Sequence, residues 1–321
     1  MLKVENISFG YKKEKNILSN ITFSLEKGKH LAIMGESGCG KSSLLKLIYG
    51  LHDVDSGALF WKDQKITGPK FNLVPGMPFI KYLAQDFDLM PYTSVGENVG
   101  KYLSNIDYQK KQNRIDELLE VVEMTDLKHE KAKNLSGGQM QRVALAKALA
   151  KSPEILLLDE PFSHIDHFRK NGLRRKLFEY IKNNSITCIT ATHDKEDVLA
   201  FSDELLVLKD GQIVEKDETI TIYKKSKILY TKQLFEDCNE IEGAFLGFNT
   251  NEKHLIYAHE LKICQKSNLE VSIVSSYFNG KNFKIKAKNT INDEIVFFYS
   301  NVELPLFKKI YLKVTSLQNT N

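Results

Sequence analysis

One stretch limits what this chain can fold into more than any other. Gly35-Glu36-Ser37-Gly38-Cys39-Gly40-Lys41-Ser42-Ser43 fits the Gly-x4-Gly-Lys-Ser/Thr pattern of a phosphate-binding loop. The apolar run Leu31-Ala32-Ile33-Met34 precedes it and reads as a buried strand. Leu44-Leu45-Lys46-Leu47-Ile48-Tyr49 follows and reads as a helix stopped at Gly50. The chemistry needs that order: glycines let the backbone curl with its N–H groups turned towards phosphate oxygens, and the helix adds its positive end. Lys41 is then expected to reach the β- and γ-phosphates, and the Ser42 hydroxyl to ligate Mg²⁺.

At 321 residues the chain exceeds the size at which a single core stops growing, so two domains are expected. The net charge of +4 is small and the lysines are scattered, which gives no reason to invoke nucleic acid. No stretch approaches the ~18 consecutive apolar residues of a membrane span, and no signal-peptide core opens the sequence, so a cytoplasmic location is expected. Cys39, Cys188, Cys238 and Cys264 lack metal-ligand spacing and read as free thiols of a reducing compartment. Cys39 lies inside the phosphate loop and reads as a small residue tolerated there.

From Leu2 to Leu25 the apolar positions alternate, which predicts an antiparallel strand pair leading to the loop strand. Tyr11 lies in the connection; its ring suits stacking on a purine, and it equally suits a partly buried strand end. Residues 51–84 read as short strands broken at Asp55-Ser56-Gly57 and Thr67-Gly68-Pro69. Tyr82 to Phe87 reads as a strand running into a loop whose first polar residue is Gln85. Ser94-Val95-Gly96-Glu97 matches a capping box, and Ile115, Leu118, Leu119 and Val122 recur at helical spacing.

Leu135-Ser136-Gly137-Gly138-Gln139 opens a strongly helical stretch and makes a second anion-seeking helix end. Two such ends with one phosphate loop hint that the second serves a nucleotide bound elsewhere. Ile155-Leu156-Leu157-Leu158 is a buried parallel strand by its continuous apolar run, and it ends in Asp159-Glu160-Pro161. Two acids at such a strand end imply a metal or chemistry: Asp159 supporting the Mg²⁺ shell, Glu160 polarising an attacking water. A helix around Leu173 to Ile181 leads to the strand Ser185 to Thr192, which closes on His193, placed to hydrogen-bond a γ-phosphate. Leu205 to Leu208, a Lys209-Asp210-Gly211-Gln212 turn and Ile213-Val214 read as a hairpin finishing the first domain.

In this order the motifs resemble those of the nucleotide-binding subunit of an ATP-binding cassette (ABC) transporter over the first ~225 residues. Matching pieces are the phosphate loop Gly35 to Ser42, the Q-loop Gln85, the signature Leu135 to Gln139, Asp159-Glu160, the D-loop Ser163 to Asp166 and the switch His193. The resemblance implies an α/β P-loop NTPase with a RecA-like core, an antiparallel β subdomain and a helical subdomain over residues 1–225. It implies ATP as the nucleotide, with two copies, or this chain and a paralogous ATPase subunit, stacked head to tail. Ser136, Gly137 and Gly138 of one would close over ATP held by Lys41 of the other. It assigns Tyr11 to adenine, Gln85 to sensing the γ-phosphate and metal, and the loop Asp86 to Pro91 to a groove for a transmembrane permease subunit. The D-loop departs from the family's Ser-Ala-Leu-Asp by carrying His164.

Residues 226–321 change character, with short strands near Val271–Val274, Phe283–Lys286, Glu294–Phe297 and Ile310–Val314. They look like the small β-barrel (OB-like, TOBE-like) extension of importer ATPases of the sugar, polyamine and iron(III) type. Basic residues and aromatics there show no interleaved stripe along the sequence, so an appendage is expected in place of a nucleic-acid-binding module. The implied function is an importer ATPase, peripheral on the inner face of the membrane, working with permease subunits and indirectly with a substrate-binding protein. The alternatives are an exporter or lipoprotein-extraction ATPase, or a soluble cassette ATPase acting on ribosomes or DNA.

Overall fold

The alternating N-terminal pattern folds as Leu2–Phe9 antiparallel to Leu18–Leu25, in the register Leu2↔Leu25, Val4↔Phe23 and Ile7↔Ile21. Side chains that alternate across the pleat bury Leu2, Val4, Ile7 and Phe9. Ser56–Trp61 pairs with the other edge of Leu2–Phe9, and Gln64–Ile66 completes a four-stranded sheet. The break expected at Asp55-Ser56-Gly57 is narrower than that, because the strand already begins at Ser56. Gly57 has φ +82, and a Cβ there would lie 2.4 Å from the carbonyl oxygens of Glu5 and Asn6, so only glycine lets the strands close at this register shift.

The computed structural model describes residues 1–12, 16–83, 87–250 and 252–315. The chain divides into two compact units, Met1–Ile222 and Tyr223–Asn321. In the first, the continuous apolar runs form a six-stranded sheet in the order Gln212–Glu218, Glu204–Lys209, His30–Met34, Thr187–Ala191, Ile155–Asp159, Ile80–Leu83. Neighbours run parallel except at the Gln212–Glu218 edge. The hairpin expected to finish the domain therefore also extends its central sheet, since Glu204–Lys209 lies parallel to His30–Met34.

His30–Met34, Ile155–Asp159 and Thr187–Ala191 are buried at every residue because both sheet faces are covered. Ile155, Leu157 and Ile189 pack with Leu44, Leu45 and Ile48 of the helix Lys41–Tyr49 and with the antiparallel sheet. Leu156, Leu158 and Cys188 share the other cluster with residues of the helices Gly137–Leu149 and His167–Asn183. Burying each such side chain stabilises the fold by about 1.5–3 kcal/mol. His30 is buried against Phe178, with Nδ1 2.8 Å from Phe201 O and Nε2 2.9 Å from Thr190 Oγ1; burial pushes its pKa down to about 4.

The segment between the strands Ile80–Leu83 and Ile155–Asp159 carries the helices Val95–Gly100, Tyr108–Val121 and Gly137–Leu149. Val95–Gly100 opens in the expected capping box, Ser94 N–H donating to Glu97 Oε2 at 2.7 Å and Glu97 N–H to Ser94 Oγ at 3.2 Å. Tyr108–Val121 buries Ile115, Leu118 and Leu119. Its C-terminal end is tied to Gly137–Leu149 by the buried Arg142, which donates to Glu123 O at 2.9 Å.

In the second unit, a five-stranded antiparallel sheet has the order Leu261–Cys264, Lys309–Val314, Leu269–Phe278, Phe283–Asn289, Ile295–Ser300, accompanied by the pair Cys238–Glu242 and Lys253–Tyr257. Alternation places Val271, Ile273, Ile285, Ala287, Val296 and Phe298 in its core. Strand pairing adds cross-strand neighbours that the linear reading does not contain. Lys284, Lys286 and Lys288 stand directly opposite Tyr299, Phe297 and Ile295, a juxtaposition across two strands that no linear stripe shows. Lys284 and Lys288 are paired with Asp237 and Asp293.

Candidate active site

Strand register assembles the site. Ile33, Ala191 and Asp159 are partners across three adjacent strands. The phosphate loop therefore starts two residues beyond one strand position, His193 two beyond the next and Glu160 one beyond the third. This is the carboxyl-end edge at which open parallel sheets bind ligands.

Gly40 joins loop to helix at φ +109; a Cβ there would meet Leu18 Cδ2 at 2.7 Å. No acidic side chain lies in the first turn of Lys41–Tyr49, so its positive end is uncompensated. Glu36, Ser37 and Gly38 are exposed at the loop's tip, while Gly35 and Cys39 are buried. Lys41 Nζ donates to Gly35 O at 2.7 Å and Glu36 O at 2.9 Å, which arches the ammonium across the loop. Burial pushes the Cys39 thiol up against the pull of Lys41, 4.0 Å away, which disfavours the thiolate. Ser42 is half-buried in the first turn; Ser43 beside it is buried, its Oγ 3.2 Å from the hydroxyl of Tyr11.

Asp159 is buried and accepts from Tyr82 Oη at 3.2 Å. Glu160 follows at φ 50, a left-handed conformation that is costly for a residue with a side chain. Its N–H donates to Ala191 O at 2.9 Å, and its carbonyl accepts from Gln141 Nε2 and Ser163 Oγ, each at 3.1 Å. The turn aims its carboxylate at His193, whose Nδ1 lies 2.8 Å from Glu160 Oε1. A small cleft of about 130 Å³ opens there, lined by Glu160, Ser163, Thr192 and His193 with Lys170, Asp194 and Asp197.

Ser136 is the N-cap of Gly137–Leu149. Gln139 N–H donates to Ser136 Oγ at 3.3 Å, and Ser136 N–H to Gln139 Oε1 at 2.8 Å, so the two side chains hold each other in a capping box. The N–H groups of Gly137 and Gly138 belong to the helix's first turn, which has no intrahelical acceptor for its leading donors. Gln85 lies outside the described residues.

The linear motifs did not mark several contributors. Gln141 bonds both Glu160 O and, at 3.2 Å, the N–H of His164. The His164 ring meets Phe87 edge-on at 5.5 Å. Asp194, next to His193, takes Lys170 at 2.7 Å and Arg174, and Arg174 also pairs with Asp197. Burial pushes the Asp194 pKa up, but hydrogen bonds from Lys170 and Glu196 N–H and the charge of Arg174 outweigh it and hold the group at about 2. Burial pushes Asp197 to about 6 despite Arg174.

Fold and geometry define the class: a P-loop ATPase built as an ATP-binding cassette. Residues 18–163 match the family model described as "ABC transporter". The chain is 32% identical over 257 residues to an "Fe(3+) ions import ATP-binding protein FbpC 2" of Haemophilus influenzae, covering 79% of this chain and 72% of that one. It is 34% identical over 249 residues to the molybdate/tungstate import ATP-binding protein WtpC of Pyrococcus horikoshii, covering 77% and 70%. Over 297 residues it is 30% identical to the sulfate/thiosulfate import ATP-binding protein CysA of Vibrio cholerae, covering 85% and 77%. Among solved structures, a dimeric post-hydrolysis state of the ATP-binding cassette MJ0796 bound to ADP and Pi aligns with TM-score 0.60 at 29% identity, over 68% of this chain and 99% of that one. The chain belongs to the ABC transporter family, as an ATP-hydrolysing subunit of the importer type.

Proposed function

We propose that two copies of this chain close head to tail on ATP and Mg²⁺ and drive import through separate membrane subunits, with cargo delivered by a substrate-binding protein. The observation that carries the reading is the register row that places the phosphate loop, Asp159-Glu160 and His193 at the ends of three neighbouring strands. Lys41 exchanges the Gly35 and Glu36 carbonyls for β- and γ-phosphate oxygens, an exchange of neutral for charged acceptors that strengthens each bond. Glu160 takes the proton of the attacking water, and His193 holds the Glu160 carboxylate and the γ-phosphate in register.

The donor set suits Mg²⁺. Among the described residues no group of three His, Cys, Asp or Glu could hold a metal. Ser42 and Asp159 offer hard oxygens, with Gln85 as a further one, which fits an ion that takes few protein ligands and completes its shell with phosphates and water. When bound, it neutralises charge on the phosphates.

Among the described residues no helix is long and apolar enough to cross a membrane. The likeness to import ATP-binding proteins supports a chain that sits peripherally on the cytoplasmic face beside separate permease subunits. Its contact falls beside the loop after Gln85. Tyr102 there has the ammoniums of Lys101 and Lys151 at 5.2 and 5.5 Å from its ring, while Lys147, at 5.9 Å, is already paired with Asp88 at 2.9 Å. Residues 226–321 form the accessory module. Small inorganic ions, the cargo class shared by the named relatives, are the first to offer in transport.

Complementation tests the shared site. A Lys41→Ala chain lacks a working phosphate loop and a Ser136→Arg chain lacks a working signature, so each alone is expected to hydrolyse no ATP. A mixed pair contains one site with both halves intact, and mixing should restore turnover. No recovery, with mixed dimers demonstrated by cross-linking, would refute the head-to-tail arrangement.

A further inference from the structure

Tyr11 is braced from three directions. Its hydroxyl lies 3.2 Å from Ser43 Oγ, in the first turn of the phosphate-loop helix. Phe9 meets its ring at 5.0 Å and 79°, and His52 at 5.4 Å and 90°. Phe9 and His52 are themselves stacked, 5.4 Å apart at 25°. These are separations at which aromatic pairs attract. His52 stands just beyond Gly50, the residue that caps the same helix. Tyr11 is thus gripped at both ends of one rigid element, its hydroxyl at the first turn and its ring past the last. Gly10 N–H, donating to Asp55 Oδ2 at 2.8 Å, fixes the backbone just before it. The tyrosine nonetheless stays 54% exposed, so the grip leaves ring surface for a ligand.

We propose that His52 is a positioning residue for nucleotide binding, holding the ring of Tyr11 at a set distance from the phosphate loop so that base and triphosphate fit at once. The inference rests on the reading of Tyr11 as the adenine platform. A ring free to turn must be ordered when the base stacks on it, and that ordering costs affinity; a ring already held does not incur the loss. Burial, with Lys46 nearby and against the pull of Asp53, lowers the His52 pKa, which favours the uncharged imidazole in this aromatic cluster.

The test compares steady-state ATP hydrolysis by the full chain as wild type, His52→Ala, His52→Phe and Tyr11→Ala. His52→Ala should raise KM about three- to tenfold, the worth of one edge-on aromatic contact, with kcat unchanged. His52→Phe restores a ring and should return KM to the wild-type value. In direct titrations, His52→Ala should weaken ADP but not inorganic triphosphate. A wild-type KM for His52→Ala overturns the proposal, as does equal weakening of both ligands or no rescue by His52→Phe at wild-type Tm. Tyr11→Ala separates the layers. A raised KM there with none in His52→Ala leaves the platform standing and removes the positioning role; an unchanged KM removes both. Should His52→Ala fail to fold, His52→Leu supplies bulk without an aromatic ring and takes its place.

Discussion

Replacing Glu160 by Gln separates proton transfer from architecture. The left-handed turn at Glu160 is held by main-chain groups: its N–H on Ala191 O, its carbonyl on Gln141 and Ser163. None of these bonds uses the side chain. An amide keeps the carboxylate's shape and an oxygen for His193, which lies 2.8 Å from Glu160 Oε1. It cannot take up the proton of an attacking water. The expected loss is that of a positioned general base, about 10²- to 10⁴-fold in turnover. This corresponds to roughly 3–5 kcal/mol of barrier. Phosphate release at saturating MgATP measures it, with ATP affinity and Tm as controls that should stay at wild-type values. Sedimentation should show the slowed variant held as a dimer by MgATP. Wild-type turnover would remove Glu160 from the proton step, and collapsed ATP affinity would show that its side chain shapes the loop instead.

Three further outcomes follow from other parts of the first unit. His30 titrates near 4 in the fold against 6.5 unfolded, so the unfolded chain binds more protons between those values. Stability should fall as pH drops from 6.5 to 4, by up to about 3 kcal/mol, and His30→Gln should flatten that part of a urea-denaturation profile. Arg174→Ala removes the counter-charge shared by Asp194, Glu196 and the buried Asp197 and should cost about 3–5 kcal/mol at pH 7. The deficit should shrink at pH 5, where Asp197, already pushed to about 6, is protonated. Ser136→Ala removes an N-cap and should lower stability by about 1 kcal/mol while leaving ATP binding to the monomer intact, as equilibrium titration would show.

How much of this was legible beforehand depended on whether the signal was local. The strand Ile155–Asp159, the helix after Lys41 and the box at Ser94 depend on residues a few positions apart, so linear pattern sufficed. The placement of Glu204–Lys209 in the central sheet, and of Lys286 opposite Phe297, depends on which strand becomes the neighbour. Periodicity carries no such information. Gly57 read as a break because glycine marks turns and close approach alike; only the carbonyls of Glu5 and Asn6 distinguish them.

The same distinction explains why Gln141 escaped notice and why it matters. The signature residues face out from the helix end, where Ser136 and Gln139 satisfy each other; Gln141, one turn on, is buried and points back at the same chain. Its amide nitrogen takes the carbonyl of Glu160 and its oxygen the N–H of His164. The helix that offers the signature is therefore joined to the turn that carries the proposed base. In the head-to-tail pair proposed above, a copy clamping its neighbour's ATP with Ser136 bears on its own Glu160 through this one side chain.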